Sequence, residues 1–187
     1  MEQIGDVNPS APKAERFEEH ILVHITDLYR AALRLTGQVS DAEDLVQETC
    51  LRAFKSLDQL REPRAAKVWV FSILRSVFLR QADRQSSERT RVSLEDIDAS
   101  VLSAADVLRD SYEGLLPRGR ALHQEVQKLP LPYREAITLA HIGGFSYKEI
   151  AQILDLPIGT VMSRLFRGRR MLRACLRDSR DRSEMAP

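Results

Sequence analysis

From Gly144 to Leu172 the chain reads GFSYKEIAQILDLPIGTVMSRLFRGRRML, two short amphipathic helical stretches separated by a tight break, the second studded with arginine. That layout is the one a helix-turn-helix DNA reader needs. Ser146 with Glu149 three residues on is a capping-box pair, which satisfies the unpaired amides of an opening turn. Ile150, Ala151, Ile153 and Leu154 form the inward stripe of the first helix. Asp155 and Leu156 make the break, and Pro157, with no amide proton and a fixed φ, suits the opening of the second helix. There the 3.6-residue period gathers Val161, Leu165, Gly168 and Leu172 on one face and leaves Thr160, Ser163, Arg164 and Arg167 on the opposite one. Those four are the candidates for a major groove. Arginine can donate two hydrogen bonds to guanine, and Thr and Ser suit phosphates or mixed base edges. Arg169, Arg170, Arg173 and Arg177 continue the positive charge in a way that suits phosphates. A solvated basic helix in an ordinary bundle is the alternative, but cap, break, stripe and arginine face agree with one another.

The rest of the chain follows the same helical grammar, with no strand pattern and no internal repeat. A period-3.6 pattern runs from about Ala14 to Leu35 through Phe17, Ile21, Ile25, Leu28, Ala32 and Leu35, ending at Thr36-Gly37. Ser40 with Glu43 predicts a second capping box, opening a helix through Leu57 with Ala42, Leu45, Val46, Thr49, Ala53 and Leu57 inward and Asp44, Gln47, Glu48, Arg52 and Lys55 outward. After a loop over Asp58–Glu62, Pro63 can open a third main helix to about Arg84, with Val70, Ile73, Leu74 and Val77 inward. From Gln85 to about Leu116 the periodicity fades and Ser, Asp and Glu become frequent, closed by Pro117 and Gly119. This stretch reads as a flexible, mildly acidic linker with a short helical piece near Ala104–Tyr112. A second helical domain begins near Arg120, and Pro130 and Pro132 separate its first helix from one starting near Tyr133. The expected architecture is therefore all-α. Two small helical domains, 14–84 and 118–177, are joined by a linker over 85–117, with a disordered leader over 1–13 and a tail over 178–187.

Composition narrows the functional class. With 187 residues, 43% hydrophobic and 29% charged, the chain has an ordinary globular composition, and no apolar run is long enough to cross a bilayer. No basic stretch followed by an apolar core marks a secretory signal, so the expected location is cytoplasmic and no membrane insertion is expected. The net charge of +1 hides an asymmetry: residues 1–117 carry 15 Lys and Arg against 20 Asp and Glu, residues 118–187 carry 13 against 7. The second half is the stronger nucleic-acid candidate and the first suits a protein partner as well. Cys50 and Cys175 lack any CxxC spacing, so they read as packing residues or incidental thiols and no zinc site is indicated. His20 and His24 beside Glu19 are the one cluster that suggests metal, but the pattern is not HExxH. No metal or other cofactor is expected, and no catalytic residue stands out.

One string outside the helix-turn-helix narrows the field further. SDAEDLVQETCLRAFKS, Ser40 to Ser56, resembles the region 2 signature of the extracytoplasmic-function sigma factors, the smallest members of the sigma-70 family. REAITLAHIGGFSYKEIAQILDLPIGTVMSRLFRGRRML, Arg134 to Leu172, resembles their region 4. The resemblance implies a dissociable subunit that binds core RNA polymerase through its β′ and β subunits, recognises the minus-35 and minus-10 promoter elements and helps melt the latter. It implies that Asp44, Gln47 and Glu48 dock on the β′ coiled coil. It implies a minus-10 groove in Leu60–Arg80, where Arg61, Arg64, Lys67, Arg75 and Arg80 supply charge beside Trp69, Phe71 and Phe78; charge interleaved with aromatics is what single-stranded DNA needs. Ser76 stands there where the family often has Asn. For the minus-35 element it implies Thr160, Ser163, Arg164, Arg167 and Arg170, with Met162 where a Lys is frequent. Only a short polar tail follows Leu176, so the expected regulator is a separate anti-sigma factor rather than a fused sensory domain.

An autonomous helix-turn-helix regulator is the alternative function. It predicts tight, sequence-specific duplex binding by the free chain, usually as a dimer. It leaves SDAEDLVQET without a role.

Overall fold

The computed structural model describes residues 12–87 and 116–184. All secondary structure among them is helical: α1 Lys13–His20, α2 Ile25–Thr36, α3 Val39–Lys55, α4 Ala66–Ser87, α5 Leu116–Gln127, α6 Leu131–Thr138, α7 Tyr147–Leu154 and α8 Ile158–Glu184. The expected leader over 1–13 lies outside the described residues up to Ala11, and helix α1 already starts at Lys13. Most of the expected linker, with its helical piece at 104–112, also lies outside them.

The first unit packs α2 on α3 and α3 on α4. Its inward stripes are those the period predicts, since Leu28, Ala32, Leu35, Ala42, Leu45, Val46, Thr49, Ala53, Leu57, Val70, Leu74 and Val77 are all buried. Its helix boundaries differ from expectation at four places. The pattern over 14–35 is broken by a 3-10 turn at Leu22–His24, within the β-branched run Ile21, Val23, Ile25, Thr26. The break lets Ile21 bury completely while Val23 remains 65% exposed. Ser40 and Glu43 do not cap α3: the first helical bond runs from the Ala42 amide to the Gln38 carbonyl, and Ser40 sits inside the first turn. The same helix stops at Lys55, where the Ser56 hydroxyl turns back to the Arg52 carbonyl at 2.6 Å, and Leu57 is buried from a separate 3-10 turn. Pro63 opens a 3-10 turn, Pro63–Ala65, that runs into α4, and α4 extends to Ser87.

The second unit starts earlier than its sequence suggested, because Pro117 is accommodated in the first turn of α5, where a missing amide costs nothing. Pro132 likewise sits in the first turn of α6, which begins at Leu131 on the Pro130 carbonyl. Helix α6 loosens into a π-helical stretch, Leu139–Gly143. A Cβ on Gly143 would lie 2.1 Å from the Phe145 ring, so the missing side chain there makes room for that aromatic. Helix α8 does not stop near Arg177 but continues to Glu184. It packs on α6 and α7 through Val161, Leu165, Gly168 and Leu172, as the period required. At Gly168 an added Cβ would stand 3.0 Å from Ile137 and 3.3 Å from Tyr133, so α6 and α8 approach as closely as two helices can.

The two units do not stand apart. Helix α4 packs against α7, and α2 against α5, α6 and the π-helical stretch, so that one apolar core runs through both. Phe71 and Phe145 meet edge to face across this seam, with centroids 4.8 Å apart.

Candidate nucleic-acid interface

The reader begins with the Ser146 cap. The Ser146 amide donates to the Glu149 carboxylate at 2.7 Å, and the Glu149 amide points back to the Ser146 hydroxyl at 3.4 Å. These hydrogen bonds hold the Glu149 carboxyl below the usual glutamate range. Helix α7 buries Ile150, Ile153 and Leu154 and ends at Asp155, the one described non-glycine residue with positive φ, 48°. Short polar side chains tolerate that conformation best, which is why an Asp serves the break. The Pro157 carbonyl then accepts the first amides of α8, from Thr160 and Val161.

On α8 the reader candidates lie together, opposite the buried stripe. Ser163, Arg167 and Arg170 are exposed, and Thr160 and Arg164 are half-buried at the edge. The Ser163 hydroxyl is turned onto the Thr160 carbonyl at 2.9 Å, so its remaining capacity faces out as an acceptor. Beside this face runs a flank the periodicity argument had not used: Ile158, Met162 and Phe166 are 44%, 53% and 69% exposed. With Tyr147, Arg169 and Arg173 they line a shallow groove. The signal was present in the sequence, since all three apolar residues fall outside the 161/165/168/172 stripe.

The candidates in the first unit divide. Arg61 and Arg64 are exposed ahead of α4, and Trp69, Ser76 and Arg80, spaced i, i+7, i+11, share one face of that helix with Ser76 and Arg80 exposed. Lys67 and Arg75 lie on the other side with Phe71 and are engaged. The Lys67 ammonium is 3.0 Å from Asp27 and 5.5 Å over the Phe145 ring. The Arg75 guanidinium donates to Glu135 of the second unit at 2.9 Å. On α3, Asp44 is exposed, Gln47 and Glu48 are half-buried, and Glu48 is paired with Arg52 one turn on. The three form one continuous polar patch by the i, i+3, i+4 rule.

The remaining chemical candidates are quiet. Cys50 is buried, and burial pushes its thiol up to about 11, which leaves almost no thiolate near neutrality. His20 ends α1 while His24 lies in the next 3-10 turn, so the two do not share one helical face. Among the described residues no group of three or more His, Cys, Asp or Glu side chains is placed to hold a metal, and no helix is long and apolar enough to cross a membrane.

Comparison with known proteins matches this division. The family description "Sigma-70 region 2" fits residues 21–88 and "Sigma-70, region 4" fits residues 119–172. The ECF RNA polymerase sigma factor SigE of Mycolicibacterium smegmatis is 35% identical over 84% of this chain, which spans 60% of that relative's length. The ECF RNA polymerase sigma factor EcfG of Rhodopseudomonas palustris is 33% identical over 88% of this chain and 87% of its own. Among solved structures, the sigma factor RpoE of Bartonella quintana, in complex with the anti-sigma factor NepR, superposes with a TM-score of 0.66 at 28% identity, over 87% of this chain and 98% of that one.

Proposed function

The chain belongs to the extracytoplasmic-function subfamily of the sigma-70 RNA polymerase sigma factors, and from that premise we propose how its surfaces divide the work. It joins core RNA polymerase, directs it to promoters carrying particular minus-35 and minus-10 elements, and helps open the latter. It acts in the cytoplasm by binding, without a catalytic step of its own. The patch Asp44, Gln47, Glu48 docks on the β′ coiled coil, its negative charge serving orientation and association rate. The exposed face of α8, with Thr160, Ser163, Arg164, Arg167 and Arg170, enters the minus-35 major groove, and the Met162–Phe166 flank beside it suits thymine methyl groups. In region 2, Arg61, Arg64, Trp69, Ser76 and Arg80 form the face open to the non-template minus-10 strand, with Lys67 and Arg75 joining once their present partners release them. A separate anti-sigma factor controls its availability.

One observation carries this reading over an autonomous regulator. A capped reader with an exposed arginine face and a second bundle presenting an acidic α3 patch occur in one chain, in region 2 to region 4 order. A stand-alone repressor has no use for the second bundle. The test is transcription in vitro with core polymerase and a promoter library, with permanganate reactivity of unpaired thymines as the sign of opening. The expected result is specific initiation that depends on the chain. Tight, specific duplex binding by the free chain with no opening on adding core polymerase would favour the autonomous regulator.

A further inference from the structure

The seam between the two units is closed by directed polar contacts as well as apolar packing. A helix leaves its last carbonyls without amide partners, and those at the end of α2 are satisfied from the other unit. The Gln127 side-chain amide donates to the Leu33 carbonyl at 3.3 Å and to the Arg34 carbonyl at 2.7 Å. The Arg134 guanidinium donates to the Leu35 carbonyl at 3.1 Å, and its other bonds, to the Gln127 side chain and to the Gln127 and Leu129 carbonyls, fix it within its own unit. A cation therefore sits at the negative end of the α2 dipole, supplied by a residue 99 positions away. A few ångströms along, Arg75 of α4 meets Glu135, whose side chain is only 7% exposed, and Phe145 covers Phe71.

We propose that this clasp holds the free chain in a closed, self-masking form that has to open before both promoter elements are held. The geometry requires it. Helix α8 packs on α7 and α7 on α4, so the reader lies two helix-packing distances, about 20 Å, from the minus-10 candidates of α4. The two elements are separated by about 25 base pairs, or about 85 Å along B-form DNA at 3.4 Å per pair. The closed form can occupy one element or the other but not both. It also keeps Lys67 and Arg75 on Asp27 and Glu135. Opening exposes Glu135, the α2 carbonyls and the Phe71–Phe145 contact, so the clasp lowers the fraction of chain competent to assemble until polymerase contacts outweigh it.

The proposal rests on the functional reading above, and one experiment separates the two. Spin labels are placed on the full-length chain at exposed positions of the two units, Lys55→Cys and Gln152→Cys, with Cys175→Ser; buried Cys50 stays unlabelled. Pulsed dipolar spectroscopy then gives the inter-unit distance. The free chain is expected to show one short, narrow distance, which broadens and lengthens in Gln127→Ala with Arg134→Ala. The same distance should lengthen by tens of ångströms on forming the promoter complex. The rate of holoenzyme formation should rise several-fold in the double variant, and Gln127→Ala alone, which removes no charge and little buried volume, should shift both readouts the same way if the double variant unfolds region 4. A broad, long distribution in the free wild-type chain overturns the proposal. So does a complex that keeps the short distance. A clasp that opens as described in a chain that never initiates transcription leaves the closed form standing and removes the functional reading instead.

Discussion

Ser146 and Glu149 hold each other across one helical turn, amide to carboxylate at 2.7 Å and amide to hydroxyl at 3.4 Å, and the reader helix pair starts from that lock. Ser146→Ala is expected to lower stability by about 1 kcal/mol, the usual cost of losing an N-cap. Thermal unfolding followed by circular dichroism measures it. Because the Glu149 carboxyl is held below its ordinary value of 4.5, its contribution is complete above that pH and lost as the pH falls through the depressed value. The variant should therefore show a flatter acid limb than the parent below about pH 4.5.

Arg164 and Arg173 should separate base reading from phosphate holding. Arg164→Ala is expected to cost about 1–3 kcal/mol at the minus-35 element and to relax preference at one position. Arg173→Ala should weaken binding almost uniformly across sequences and reduce the salt slope. Promoter libraries transcribed by reconstituted holoenzyme at two salt concentrations test both; unchanged preference in Arg164→Ala removes it from the reading face.

Asp44→Lys with Glu48→Lys reverses the charge of the α3 patch without touching the buried stripe Leu45, Val46 and Thr49. The expected outcome is a native circular dichroism spectrum with at least tenfold weaker competition for core polymerase, about 1.4 kcal/mol. Unchanged competition would show that the docking face lies elsewhere.

Acid should weaken the fold through histidine, and the sign is the same at three positions. Burial is the leading cause that holds His24, His123 and His141 below the ordinary value of 6.5. Lys67 faces His24 with Asp27 in opposition, Arg34 and Arg134 face His123 beside the Gly37 backbone, and Arg169 and Arg34 face His141. A group with a depressed folded pKa contributes fully above its unfolded value and costs stability as the pH falls below it. Denaturant midpoints should thus drop between pH 7.5 and about pH 5.5, and His123→Gln should reduce the drop. A midpoint that is flat over this range contradicts the burial of these rings.

The local parts of this structure were legible and the long-range ones were not, for a physical reason. The Ser146 cap can be read because both partners lie within one turn, and the stripes of α3 and α8 because burial follows the helical period. The same cap pattern at Ser40 misled: packing of Ala42 and Leu45 set the start of α3 at Val39, and a serine three residues before a glutamate does not outweigh it. The clasp left no local trace. Arg134 reads as a surface arginine and Glu135 as a solvated carboxylate, since nothing in either neighbourhood announces Leu35 or Arg75 as partner. Lys67 and Arg75 were readable as positive charge near aromatics, but charge alone does not say whether DNA or a carboxylate is its present neighbour.

The notch at Gly168 bears on redesign of specificity. Tyr133 and Ile137 seat against the bare backbone there, which fixes both the axial position and the rotation of α8. The aim of the reading side chains is thereby decoupled from their identity. Residues at 160, 163, 164, 167 and 170 can be exchanged as a cassette to retarget the promoter, provided that the glycine and its three stripe neighbours, Val161, Leu165 and Leu172, are kept. A larger residue at 168 would turn every cassette away from the groove at once, whatever its letters.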